Sequence, residues 1–227
     1  MVKNVLIDLD DTLFDFKKAE RESLKDTLKK YYVEPREEYL SLYSDINRSF
    51  WERLERGELT RDQVTVGRFG MLSEMIGIPF DAEGACDFYE HGLSTKAFLL
   101  DGALDFLSAA RERYDLYIIS NGSSDVQYPR IEKSGIGGYF RKIFISEEIG
   151  YEKPSAAFFE ACAGMIPGYS ADESVVIGDS LTSDIKGGLN AGIRTIWISG
   201  GRAPAGDVMP DHMTGDISGC LDILEKL

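Results

Sequence analysis

Short, nearly continuous apolar runs recur at residues 5–9, 116–120, 142–146, 174–177 and 195–198, and they constrain the fold more than any other feature of the chain. Each is too short for a core helix and is rich in β-branched residues. With almost no polar alternation, such runs fit strands buried on both faces, the usual condition in a parallel sheet. Helical periodicity fills the intervals between the later runs, at 103–113, 126–134, 156–165 and 185–191. Alternating strands and helices predict an α/β fold, a Rossmann-like parallel sheet flanked by helices.

The interval after the first run differs in character. From 17 to 97 the pattern is helical, with candidate helices at 17–32, 36–56, 61–76 and 82–93, and breaks at Pro35, at Gly57 and at Gly77 with Pro79. Thr60 and Gln63 have the spacing of a capping box, in which each side chain satisfies a free backbone N–H at a helix start. The expected organisation is therefore a core built from 1–16 and 98–227, with a four-helix domain, 17–97, inserted after the first strand. A length of 227 residues accommodates both.

The net charge of −14 argues against a nucleic-acid polymer as partner, because such binding depends on Lys and Arg neutralising phosphates. An anionic small molecule would need a local positive site instead. Cys86, Cys162 and Cys220 are widely spaced without a CxxC pair, which suits buried, reduced thiols in a cytoplasmic protein. The run 5–9 is too short for a signal-peptide core and contains Asp8. No apolar run approaches the roughly 18 residues of a membrane span.

Ligands of open parallel sheets bind beyond the carboxyl ends of the strands. The residues expected there are Asp8-Leu9-Asp10-Asp11-Thr12 after the first strand, Ser120-Asn121-Gly122 after the second, Lys153-Pro154 in the loop after the third, and Gly178-Asp179-Ser180, then Asp184, after the fourth. Crowded carboxylates at Asp8, Asp10 and Asp11 call for a positive partner or a fully solvated loop.

In order and placement, these four groups resemble the motifs of the haloacid dehalogenase superfamily, most of whose members are magnesium-dependent phosphatases with a helical cap after the first strand. The resemblance covers the whole chain. It implies that Asp8 is a nucleophile forming an aspartyl-phosphate and that Asp10 is the general acid and base. It also implies that Ser120 and the Asn121 N–H grip the phosphate, and that Lys153 supplies a point charge. Mg²⁺ would be held by Asp8, the Asp10 carbonyl and Asp179, with Asp184 acting through a water or by orienting its neighbours, or alternatively as a further direct ligand. Asp10 separates the chain from true haloacid dehalogenases, which lack a carboxylate there. Asp11 reads as a polar turn residue, Thr12 as a loop support that hydrogen-bonds within the loop, and Gly122 and Gly178 as turn glycines.

Further stretches, including Phe50-Trp51-Glu52-Arg53, Gly57-Glu58-Leu59-Thr60-Arg61-Asp62 and Ser146-Glu147-Glu148-Ile149-Gly150, are similar to bacterial nucleotidases of this superfamily that act on pyrimidine 5′-monophosphates. This implies a small phosphate monoester as substrate. A sugar-phosphate phosphatase or phosphomutase is the alternative, and a non-catalytic binding protein on the same fold a remote one. Phe14, Phe16 and Trp51 are candidates for specificity, each with helix or core packing as its plainer role. His91 and His212 lack the spacing of zinc ligands.

Overall fold

The computed structural model describes residues 1–204 and 206–227. The chain divides into two compact units, Met1–Asp15 with Phe98–Leu227, and Phe16–Ala97.

The first unit is built on strands β1 (Asn4–Ile7), β2 (Asp115–Ser120), β3 (Lys142–Ile145), β4 (Ser174–Gly178), β5 (Arg194–Ile198) and β6 (His212–Thr214). Their order is β3-β2-β1-β4-β5-β6, and every pairing is parallel. Chain order therefore reverses about β1, whose carboxyl end faces the crevice where doubly wound sheets bind ligands. β1 and β4 are buried along their whole length, as their unbroken apolar runs require. One sheet face packs Leu6, Ile119, Phe144 and Val176 against Phe158 and Phe159 of the helix Ala156–Gly164.

β6 is not legible in the apolar pattern. It spans three residues, none of them buried, and adds only to the free edge of β5. The segment expected to be helical from 185 begins earlier, as a π-helical turn at Leu181–Ile185 that continues into the helix Lys186–Asn190.

The second unit contains α1 (Phe16–Lys30), α2 (Glu37–Glu55), α3 (Arg61–Ile76) and α4 (Ala82–Ser94). α3 starts with the expected capping box: the Gln63 N–H donates to Thr60 Oγ1 at 3.4 Å and the Thr60 N–H donates to Gln63 Oε1 at 2.9 Å. It ends on Gly77 at φ 68°, the left-handed conformation glycine adopts at low cost. Tyr43, Phe69 and Tyr89 form an aromatic centre with ring centroids 5.1–5.4 Å apart. Beside it the buried Arg68 donates to Asn47 Oδ1 at 2.9 Å and to Glu90 Oε1 at 3.0 Å, and Asn47 Nδ2 donates to Glu20 Oε1 at 2.8 Å. The buried guanidinium, amide and carboxylate groups here thus pair with one another, as low-dielectric burial demands.

All three cysteines are buried and free. Among the described residues, no helix is long and apolar enough to cross a membrane.

Candidate active site

The polar residues expected at the strand ends come together at the carboxyl ends of β1, β2 and β4. Ladder hydrogen bonding continues one residue past β1, where the Asp8 N–H donates to Ile177 O at 2.9 Å, so Asp8 is fixed beside the end of β4. The chain then turns sharply. Asp11 adopts φ 58° and its N–H donates to Phe14 O at 2.8 Å, which makes it the turn residue of the loop. Thr12 is fully buried, but its hydroxyl has no partner among the described residues, so its support of the loop is packing rather than a side-chain hydrogen bond.

Lys153 is the electrostatic centre. It is 1% exposed, and its Nζ donates to Asp8 Oδ1 at 2.7 Å, Asp184 Oδ1 at 2.6 Å and Ile119 O at 3.0 Å. These contacts use all three protons of the ammonium. Burial opposes its charge, yet Asp184 and Asp8 hold its pKa above the ordinary lysine value. Its loop is fastened to the end of β2 by a reciprocal amide pair: Asn121 Nδ2 donates to Lys153 O, and the Lys153 N–H donates to Asn121 Oδ1, both at 2.9 Å. The Asn121 side chain thereby places Lys153.

Asp8, Asp179 and Asp184 bring carboxylate oxygens within 4.8 Å of one another. Burial, with crowding by Asp184 and Asp179, pushes the Asp8 carboxyl well above the ordinary range, and Lys153 only partly offsets this. Asp184 is committed on both oxygens, to Lys153 through Oδ1 and to the Ser180 N–H through Oδ2 at 3.1 Å. A Cβ on residue 178 would lie 2.3 Å from Asp184 Cγ, and Gly178 is not among the positive-φ glycines. This glycine therefore makes room for the carboxylate rather than forming the expected turn. Asp179 is held through its carbonyl, which accepts from Trp197 Nε1 at 2.8 Å and Arg202 Nη2 at 3.1 Å.

Asp10 is held from a different element. Arg130 Nη1 donates to its Oδ1, and Gln127 Nε2 donates to its Oδ2, both at 2.7 Å. Neither Gln127 nor Arg130 stands out in a motif reading of the sequence. The signal that could have found them is helical spacing. They share with Val126 and Ile131 the buried stripe of the helix Ser124–Ser134, where polar residues need a reason. Ser120 Oγ accepts from Gln127 Nε2 at 3.0 Å and from the Gly122 N–H at 3.1 Å.

The specificity candidates divide. Phe14 is fully buried, with the Arg130 guanidinium 4.6 Å from its ring centroid, so it supports the Asp10 loop instead of lining a pocket. Phe16 and Trp51 belong to the helical unit. Phe16 opens α1 and is half-buried, whereas Trp51 donates from Nε1 to Asn47 Oδ1 at 3.0 Å and carries Arg61 over its ring at 5.7 Å.

The sequence model of the haloacid dehalogenase-like hydrolases matches residues 2–192. The pyrimidine 5′-nucleotidase PynA of Streptococcus pneumoniae is 37% identical over 232 residues, which cover 99% of this chain and 98% of that protein. The pyrimidine 5′-nucleotidase YjjG of Escherichia coli is 30% identical, covering 86% of this chain and 85% of that protein. The HAD-hydrolase YfnB of Bacillus subtilis is 38% identical over 87% of this chain and 84% of that protein. Its crystal structure bound to magnesium superposes with a TM-score of 0.94 and 34% identity, covering 98% of both chains.

Proposed function

The chain belongs to the haloacid dehalogenase-like hydrolase family and is a phosphatase of that family, and from that premise we propose that it hydrolyses nucleoside 5′-monophosphates through an aspartyl-phosphate on Asp8, with magnesium as cofactor. The observation that carries the chemistry is the buried Lys153 bridging Asp8 and Asp184. Near-full-length similarity to PynA carries the choice of a nucleotide as substrate.

The donor set fits a hard divalent cation. The clustered side-chain ligands are all carboxylates; Asp8 and Asp184 meet the buried ammonium of Lys153, and Asp179 faces the exposed Arg202 at 3.5 Å, so three carboxylates meet one buried cation and one solvated one. Asp8 and Asp179, with the Asp10 carbonyl, would hold the ion. Asp184, whose oxygens already serve Lys153 and Ser180, would orient its neighbours. When bound, magnesium supplies charge neutralisation for the phosphoryl oxygens.

The protein's own residues then divide the reaction. The Ser120 hydroxyl binds the phosphate and holds it against Asp8, while Lys153, its three protons committed to Asp8, Asp184 and Ile119 O, supplies positive charge beside the incoming phosphate. A carboxylate oxygen of Asp8 bonds to phosphorus as the bond from phosphorus to the 5′-oxygen breaks. The departing oxygen keeps the bonding pair and takes a proton from the Asp10 carboxyl. In the second half, Asp10 accepts a proton from water as that water bonds to phosphorus and the Asp8 oxygen leaves. Ester and water become nucleoside and inorganic phosphate, and both carboxyl groups return to their starting states.

The test is phosphate release from a panel of nucleoside and sugar monophosphates, with magnesium and with EDTA. Turnover of nucleotides that is lost on chelation is expected. Turnover that survives thorough chelation, or a preference for sugar phosphates with no nucleotide turnover, overturns the proposal.

A further inference from the structure

We infer that Gln127 and Arg130 are positioning residues for the reaction, holding the Asp10 carboxylate and turning the Ser120 hydroxyl into a donor toward phosphate. The inference rests on the reading of Asp10 as acid and base given above, and goes beyond it in assigning what aims that group.

Proton accounting carries the case. Arg130 Nη1 has two protons, one directed to Asp10 Oδ1 and one to Gln127 Oε1 at 2.8 Å. Gln127 Nε2 has two protons, one directed to Asp10 Oδ2 and one to Ser120 Oγ. Asp10, Arg130 and Gln127 therefore close a ring in which each carboxylate oxygen receives its own donor. The ring also fixes the amide. A flipped Gln127 would face Asp10 with a carbonyl oxygen and the guanidinium with an NH₂ group. A hydroxyl has two acceptor pairs and one proton, and Ser120 accepts from both Gln127 Nε2 and the Gly122 N–H. What remains to Ser120 is to donate, the polarity an anionic phosphate oxygen needs.

Space and rigidity agree with this. A Cβ at residue 122 would lie 2.4 Å from Gln127 Nε2, so the glycine leaves the volume that the amide occupies. Arg130 is fully buried and stacks over Phe14, a residue of the same loop that carries Asp10. A purely structural ion pair would need only Arg130 and Asp10. Gln127 adds a direct tie between the acid–base group on the β1 loop and the phosphate donor at the end of β2.

The test compares Gln127→Met, Arg130→Met, Arg130→Lys and Asp10→Asn on a nucleoside 5′-monophosphate, whose leaving oxygen needs a proton, and on p-nitrophenyl phosphate, whose leaving group does not. The measurements are kcat, KM and the presteady-state burst of p-nitrophenol. Arg130→Met is expected to lower kcat on the nucleotide by about 10- to 100-fold, the cost of a misplaced catalytic group, with KM little changed. The burst rate should fall far less, and Arg130→Lys should recover part of the loss. Gln127→Met should show the same split between substrates together with a raised KM, because it also releases Ser120. It removes no charge, so it decides the matter if Arg130→Met does not fold. Folded variants that keep wild-type kcat on the nucleotide, or that lose the burst in equal proportion, overturn the inference. Asp10→Asn separates the two levels. If it shows the split and Gln127→Met does not, the positioning role fails. If Asp10→Asn shows no split, the acid–base reading itself fails.

Discussion

Replacing Lys153 with methionine removes the buried cation that faces Asp8 and Asp184. Methionine roughly keeps the volume of the lysine stem, so the change is mainly electrostatic. Asp8 Oδ1, Asp184 Oδ1 and the carbonyl of Ile119 lose a donor together. Breaking a buried ion pair by deleting one partner costs about 3–5 kcal/mol, which for a chain of this size lowers Tm by about 6–20 °C. The assay is thermal unfolding in EDTA, followed by the fluorescence of Trp197, which is buried in the α/β unit. A Trp51→Phe background removes the reporter of the helical unit. The sign of the pH dependence follows from Asp8. Its folded pKa is already raised by burial and by Asp184 and Asp179, and loss of Lys153 raises it further. Its ionised form therefore penalises folding at pH values above its unfolded pKa, and protonation relieves the penalty as pH falls through the folded pKa. The destabilisation should be largest at alkaline pH and shrink in mild acid. A variant that melts within about 1 kcal/mol of the parent, about 2–4 °C, in alkaline EDTA refutes the claim that two buried carboxylates depend on this ammonium.

Asp8→Asn should lower turnover by more than about 10³-fold, since an amide cannot replace the attacking carboxylate, while the circular dichroism spectrum stays that of the parent. Magnesium at about 100 times its Kd should stabilise the protein by about 2.7 kcal/mol, a Tm rise of about 5–11 °C that a scan with and without EDTA reads directly; an unchanged Tm contradicts a site that binds the ion in the folded state. Trp197→Phe removes the indole donor that holds the Asp179 carbonyl and leaves a small void, so denaturant unfolding should show a loss of about 1–3 kcal/mol with the m-value unchanged.

The parallel sheet was readable because burial on both faces leaves no polar alternation, and a run as short and apolar as 174–177 then fits a buried strand better than any helix. The helices of the inserted unit were readable from periodicity, with Gly57, Gly77 and the Thr60/Gln63 pair marking ends. β6 was not, because a three-residue edge strand with no buried side chain leaves no hydrophobic trace. The π-helical turn at Leu181–Ile185 was missed for a related reason: its apolar spacing differs from an α-helix by less than one residue per turn. The strand-end carboxylates and Lys153 were legible as motifs because they lie close to one another along the chain or at recognisable strand ends. Gln127 and Arg130 were not, since a polar pair on a surface helix normally reads as a solvated face. Only the fold reveals that this face turns inward to Asp10.

The central claim is that Asp8 carries the phosphoryl group between substrate and water, and trapping that group tests it most directly. Asp10→Asn, which activates water poorly, is mixed with magnesium and p-nitrophenyl phosphate, whose leaving group needs no proton from Asp10, then quenched in acid and digested. Mass spectrometry should place one phosphoryl group on Asp8, labile to hydroxylamine and absent from Asp8→Asn. A quenched enzyme that has released p-nitrophenol yet bears no phosphoryl group on Asp8, or bears it on another residue, contradicts the account.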